Sequence, residues 1–483
     1  MGRSLGGRRQ QAAASFTSAA LLVLAASAGA AAAAPAPVAA RSPEPVVRPL
    51  PPVVDSPALA RAVATARQRF LARQAFSRLD VTVLLETRDG RWLRGAHGGD
   101  VLVYPASCVK LPFLAAAIRW CGEQGRAPDC LDADVRPMVV QSDNVATGRV
   151  VDAITGVANV AWPEAAAVPL PGGAGDRLAT AVTPPAAFAP WLERRRYTER
   201  LFAAAGLLDG QTLLNKTWPT NSGESPEGFE RLSLAIAGRN RMSPDASARL
   251  MLALQSGALV PEGRDYARAL LRRDRWSGHA AFGSGLPPGT RLDAKIGTAY
   301  DTLQEIAWVE LPDARRLVVA AYSDGWNADD PSPFDVAPLG SFVEDLLDVV
   351  GEAAVPDAPR AALPWSSRVA ARPAGRWEPV TARSAYRGAA AWGSREPGAS
   401  YEWRVAVPAP GRYELAVWYP AGGDRTPAAR YEIDGRDVPV YYDQRRWGGR
   451  WLPLGEVDAT GTSVGVRVRA DAEGGVLVVD TLR

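Results

Sequence analysis

Lysine is almost missing from this chain. Of 55 basic residues, only Lys110, Lys216 and Lys295 are lysine. In a chain so biased, lysine is kept where arginine will not serve, because arginine holds its proton in proteins and cannot act as a base. Histidine is as scarce. His97 and His279 are the two present, and His97 lies in a Gly-rich turn, which disfavours a Ser-His-Asp enzyme. Three cysteines, Cys108, Cys121 and Cys130, are too few for a disulfide scaffold. Cys121 and Cys130 are spaced to pair across one short loop after export, leaving Cys108 as a buried packing residue. No Cys/His cluster suits a metal, so neither metal nor cofactor is expected. The formal charge of +3 gives no extended basic surface, which argues against a nucleic-acid partner.

At 483 residues the chain exceeds one ordinary core, and two domains are expected. Arg3, Arg8 and Arg9 precede an apolar, Ala-rich run ending in small residues, which reads as a signal peptide over 1–34. A retained membrane anchor is the alternative. Pro- and Ala-rich residues 35–55 read as a spacer. Helical spacing follows from Pro57 to Phe76, then a hairpin from Val81 to Glu86 and from Trp92 onward about Asp89-Gly90. Strand-like runs Gln304 to Leu311 and Arg316 to Ser323, and a helix from about Leu339 to Val350, close the first domain. Strands at both ends with helices between imply α+β architecture over 56–352. Residues 353–375 read as a linker, and 376–483, with short strands and no helical period, as an all-β sandwich.

Ser107-Cys108-Val109-Lys110 opens an apolar helix just after the hairpin, so Ser107 and Lys110 stand one turn apart on one face. Serine is a poor nucleophile until a base removes its proton. A partly desolvated lysine with a lowered pKa can be that base. By itself S-x-x-K carries little weight. Two further motifs follow in order, Ser142-Asp143-Asn144 and Lys295-Ile296-Gly297-Thr298, the second directly before the paired strands. Their joint occurrence, with two of the three lysines inside them, is what points to chemistry.

This order resembles the class A β-lactamase and penicillin-recognising DD-peptidase superfamily over roughly residues 56–352. The resemblance implies a β-lactamase-like fold: an antiparallel sheet with flanking helices plus a helical subdomain. It also implies roles. Ser107 is acylated, Lys110 is its base, Ser142 relays the proton to the leaving nitrogen, and Asn144 holds the substrate amide. Lys295 supports that relay and the substrate carboxylate. Gly297 and Thr298 are counted as substrate-binding, and the N–H groups of Ser107 and Thr298 form an oxyanion hole. Asp143 is structural. The implied ligand is a peptidoglycan-type peptide or a β-lactam, bound by a monomer that is secreted, periplasmic or wall-associated.

Two departures matter. Ile296 stands where the family has Ser or Thr, so a hydroxyl contact to the substrate carboxylate is missing unless Thr298 substitutes. The deacylating glutamate of E-x-x-L-N is matched best by Gln211 in Gln211-Thr212-Leu213-Leu214-Asn215, and an amide cannot take a proton from water. Glu164, Glu193, Glu199 and Glu224 are the alternative bases. DD-peptidase behaviour is therefore expected over efficient β-lactamase activity. The polar segment from Asn215 to Gly223, which holds Lys216 and Asn221, either lines the site mouth or is a solvated loop.

Seven of the fifteen tryptophans fall after residue 360. Runs such as Tyr401 to Val405 and Gly411 to Tyr419, with Trp451-Leu452-Pro453-Leu454-Gly455, resemble the golvesin/xanthan-lyase carbohydrate-binding-like domain. Aromatic faces stack on sugar rings, which makes glycan a conceivable ligand; most aromatics of a small sandwich are core. The competing function class is a non-enzymatic wall- or glycan-binding protein whose first domain is degenerate.

Overall fold

In the computed structural model the described residues are 48–169, 182–208, 212–216, 225–326, 336–352, 369–470 and 474–483. The expected signal peptide and Gln211 lie outside them, as do Asn221 and Glu224. Seven strands form one sheet: β1 (Val53–Asp55), β2 (Arg78–Glu86), β3 (Trp92–His97), β4 (Arg272–Arg273), β5 (Arg291–Ala299), β6 (Thr302–Glu310) and β7 (Arg316–Asp324). Their order is β1-β3-β2-β7-β6-β5-β4, antiparallel throughout except for the β1–β3 pair.

Alternation along these strands splits the core into two layers. Leu79, Val81, Val83 and Leu85 of β2 face α1 (Pro57–Arg73) and the closing helix, while Leu84 joins the opposite layer with Ile306, Trp308, Val318 and Tyr322. That second layer is covered by α2 (Lys110–Glu123), α3 (Asp132–Val140), α4 (Asn144–Thr155), α6 (Tyr197–Ala204), α8 (Pro244–Gln255) and α9 (Arg264–Leu271). α5 (Phe188–Arg195) and α7 (Gly228–Ala237) enclose a smaller aromatic cluster of Phe188, Trp191, Phe229 and Leu232. α10 (Pro338–Glu352) packs with α1.

Local chemistry accounts for the boundaries. Ser56 caps α1 by accepting from Leu59 N–H at 3.2 Å, Pro57 follows at the first helical position, and Leu59, Ala62, Val63, Ala66 and Phe70 form the buried face. The helix ends at Arg73 rather than reaching Phe76, and Gln74 turns extended. Cys121 and Cys130 are disulfide-bonded, and Cys108 is free and buried.

The remaining strands, β8 (Val369–Ala374), β9 (Glu378–Val380), β10 (Ala391–Ser394), β11 (Ser400–Ala406), β12 (Gly411–Trp418), β13 (Ala429–Ile433), β14 (Arg436–Tyr442), β15 (Leu452–Ala459), β16 (Ser463–Ala470), β17 (Leu477–Val479) and β18 (Thr481–Leu482), build the all-β domain. Its sheets run β14-β13-β16-β11-β8, β15-β12-β18 and β17-β10-β9. Trp403, Tyr419, Tyr431 and Tyr442 sit in its core, whereas Trp392 and Tyr441 remain 41% and 59% exposed.

Both segments read as linkers contribute strands at their ends, which corrects the boundaries. Val53–Asp55 pairs with Trp92–Arg94, and Val369–Ala374 pairs with β11. Each is an edge strand, the one sheet position where Pro373 costs no ladder bond, so Pro-rich composition concealed them. The sandwich is also docked rather than tethered. Trp418, Trp451 and Tyr386 stack together, and Glu344 of α10 accepts from Tyr386 Oη at 2.7 Å and Trp451 Nε1 at 2.8 Å. Glu414 accepts from Arg275 and Trp276, Arg483 donates to Ser284 O at 2.5 Å, and Arg383 donates to Leu71 O and Ala72 O. All of this lies on the α1/α10 side of the sheet.

Candidate active site

β4 is two residues long and pairs only with Leu292 and Asp293, and further along β5 the 3-10 turn Ala106–Val109 packs against Gly297. The turn fits because residue 297 is glycine. A Cβ there would lie 2.6 Å from Pro105 O and 2.9 Å from the backbone nitrogens of Ser107 and Cys108. Cys108 Sγ lies 3.3 Å from Lys295 O, a second tie between turn and strand. The expected helix start is thus a 3-10 turn that runs into α2 at Lys110. Ala106 holds φ at 45° and Ser142 at 60°, left-handed conformations that cost non-glycine residues energy and persist only where packing over-determines them.

Five of the residues singled out in the sequence converge. Lys110 Nζ lies 2.9 Å from Ser107 Oγ, donates to Ser142 O at 2.6 Å and to Asn144 Oδ1 at 2.7 Å, and is 3.3 Å from Ser142 Oγ. Lys295 Nζ reaches the same Ser142 Oγ at 2.9 Å and Ile296 O at 2.8 Å. Asp143 caps α4, accepting from Ala146 N–H at 2.6 Å. Gly297 packs against Ser107 N, and Thr298 is exposed at the end of β5.

Burial sets the electrostatics. The Lys110 amine is pushed down to about 6, chiefly by desolvation and next by the charges of Lys295 and Lys216. Lys295 is lowered to about 7, again chiefly by burial. A neutral amine has two N–H bonds, and Ser142 O and Asn144 Oδ1 are placed to accept them. The lone pair can then face Ser107 Oγ, the arrangement a base for that hydroxyl requires. Ser142, touched by both lysines, can pass a proton between them.

Residues 204–336 match the family model described as "Beta-lactamase enzyme family", and residues 366–483 match "Golvesin C-terminal domain". Part of the first domain is therefore similar to the β-lactamase enzyme family. Golvesin of Dictyostelium discoideum is 29% identical over 389 residues, 79% of this chain, and the chain spans 64% of that relative's length. Among solved structures the chain is similar to PBP-A, at 19% identity over 62% of this chain and 99% of that one, with a TM-score of 0.40. A beta-lactamase from Sphaerobacter thermophilus is similar at 17% identity over 60% and 98%, with a TM-score of 0.38.

Within this β-lactamase-like domain the two departures have distinct structural settings. Ile296 is buried in the α1/α10 core layer, because alternation along β5 turns it away from Lys295. Glu164 is exposed, exposed Glu193 pairs with Arg200, and buried Glu199 pairs with Arg196 and accepts from Leu214 N–H at 2.8 Å. Lys216 does not sit in a solvated loop: it is 5% exposed. Sequence reasoning missed what surrounds it. Glu230 of α7, Arg195 of α5 and Asp152 of α4 form one charged cluster, with Arg195 bonded to Glu230 at 2.8 Å and to Asp152 at 2.6 Å. The scarcity of lysine was the available signal.

Among the described residues, no group of three or more His, Cys, Asp or Glu is placed to hold a metal, and no helix is long and apolar enough to cross a membrane.

Proposed function

We propose that this chain is an exported serine hydrolase that forms an acyl-enzyme on Ser107 with β-lactams or D-Ala-D-Ala-type peptides, and that it acts as a DD-peptidase rather than an efficient β-lactamase. The observation that carries this reading is the buried Lys110 amine 2.9 Å from Ser107 Oγ, with Ser142 between it and Lys295. Ser107 Oγ attacks the carbonyl carbon and its proton passes to Lys110. The amide or lactam C–N bond breaks, and Ser142 delivers a proton to the departing nitrogen. Asn144 orients the substrate amide, and the N–H groups of Ser107 and Thr298 receive the oxyanion. The sandwich would then hold the enzyme on a wall glycan.

Deacylation separates the two activities. If Gln211 takes the place of the deacylating glutamate, as its match to E-x-x-L-N implies, the attacking water is oriented but keeps its proton, and general-base assistance worth about a hundred- to ten-thousand-fold is lost. An intact-mass time course with penicillin is expected to show a long-lived adduct on Ser107, and Gln211→Glu is expected to shorten its life while acylation barely changes. Rapid multiple-turnover hydrolysis by the unmodified protein would reject the DD-peptidase assignment. Absence of any adduct would instead favour a wall-binding protein.

Gly297 gives a test of the turn geometry. Gly297→Ala forces the Ser107 turn away from β5, and displacing a nucleophile by about 1 Å costs on the order of a hundredfold. Penicillin labelling should slow by that order with the circular dichroism spectrum unchanged; labelling at the original rate would show that the turn need not abut the strand.

A further inference from the structure

The three lysines of this chain are all buried, at 0%, 5% and 1% exposure for Lys110, Lys216 and Lys295. Burying a lysine is costly, and an arginine-rich chain that keeps lysine only at such positions points to a use for each. Two are accounted for above. Lys216 is not.

Its position follows from α4. Asn144, Gly148 and Asp152 are spaced four apart and share one face of that helix. Asn144 Oδ1 holds Lys110 Nζ at 2.7 Å. One turn further, a Cβ on Gly148 would lie 3.6 Å from Lys216 Nζ, ordinary van der Waals contact, so that ammonium packs directly over this turn of α4. A second turn on, Asp152 binds Arg195, which binds Glu230, and Glu230 Oε2 lies 4.0 Å from Lys216 Nζ. Successive turns thus carry Lys110, Lys216 and the carboxylates that balance the second lysine. Neighbours one turn apart on a helix are about 6 Å apart.

We infer that Lys216 is a positioning residue for the reaction: a positive charge, held by Glu230 one helical turn from Lys110, that keeps Lys110 in its free-amine form. The inference rests on the hydrolase reading for its purpose but not for its measurement. The charged and titratable groups facing Lys110 are Lys295 on β5, Asp143 at the start of α4, Cys108 in the turn, and Lys216; those facing Lys216 are Glu230, Arg195 and Asp152. Of the charges around Lys110, Lys295 and Lys216 favour the neutral amine and Asp143 opposes them, while the buried Cys108 thiol, pushed up to about 12, stays uncharged near pH 6. Lys216 itself needs the Glu230 carboxylate, because burial alone drives it towards losing its proton.

Having three lysines makes the test direct. Incorporating lysine labelled with carbon-13 at Cε into the full chain gives one signal per site, assigned by the loss of each in Lys110→Arg, Lys216→Arg and Lys295→Arg. In the unmodified protein the Lys216 signal should stay in its protonated position throughout the Lys110 transition near pH 6. In Lys216→Met the Lys110 midpoint should rise by about one to two pH units, the effect of deleting a unit charge at that separation in a partly polar interior. An unmoved Lys110 midpoint in folded Lys216→Met overturns the inference. So does a Lys216 signal that loses its proton before Lys110 does, a readout that survives even where the variant fails to fold. Neither measurement involves penicillin, so a protein that shows the shift but forms no adduct would keep this inference and lose the hydrolase reading.

Discussion

Ser107→Ala is expected to abolish the penicillin adduct altogether while leaving the thermal unfolding midpoint almost where it was. The substitution removes a single oxygen from a half-buried side chain at the start of a 3-10 turn. What is lost structurally is one contact with Lys110 Nζ, which keeps Ser142 O and Asn144 Oδ1 as acceptors, so the stability change should stay within about 1 kcal/mol. What is lost chemically is the atom that the proposed mechanism acylates. Mass spectrometry with excess penicillin reads the result as zero added mass over hours. An adduct forming at the original rate on another side chain would remove Ser107 from the mechanism, whatever the motifs suggest.

Replacing Lys110 should be nearly as damaging, by a different route. Lys110→Arg keeps the charge but has no lone pair to accept the Ser107 proton, and loss of a general base typically costs about a hundred- to ten-thousand-fold. Because the larger head must enter a fully buried site, Lys110→Met serves as the companion variant; both lack the base, and both should acylate at that reduced rate. The same assignment dictates the pH profile of the unmodified protein. Lys110 works as the free amine, so acylation should rise with pH through about 6 as that amine loses its proton. Lys295 serves as the cation, lowered to about 7 by burial, so the rate should fall again as pH passes that value. The outcome is a narrow bell whose limbs belong to the coupled pair. A stopped-flow profile flat from pH 5 to 9 would contradict the roles of both lysines.

The motifs were legible because each is local. Ser107 and Lys110 are three residues apart, and a helical turn of any kind brings such neighbours together. The hairpin about Asp89-Gly90 and the β6–β7 pair were visible for the same reason, through alternation and turn chemistry over short spans. Linker boundaries were misjudged where composition stood in for pairing, since an edge strand tolerates proline and leaves no sign of its partner. Docking of the sandwich was invisible for a related reason: Glu414 meeting Arg275, or Glu344 meeting Trp451, joins side chains more than a hundred residues apart.

By itself, then, the sequence determined which chemistry to propose for this chain. Serine, lysine and asparagine in that order, with lysine nearly excluded elsewhere, restrict the base to a group that can lose its proton, and the alternating and helical periods restrict the architecture to α+β followed by all-β. Only the tertiary structure decided how the lysines are used. The pKa of an amine depends on how much water it keeps and on which charges lie near it, and for Lys110 those come from β5, the start of α4 and the segment at Lys216, which chain order does not place side by side. Under the proposed mechanism, burial beside Ser142 is what would let Lys110 act as a base, and contact with Gly148, with Glu230 behind it, is what brings Lys216 to the helix face that holds Asn144.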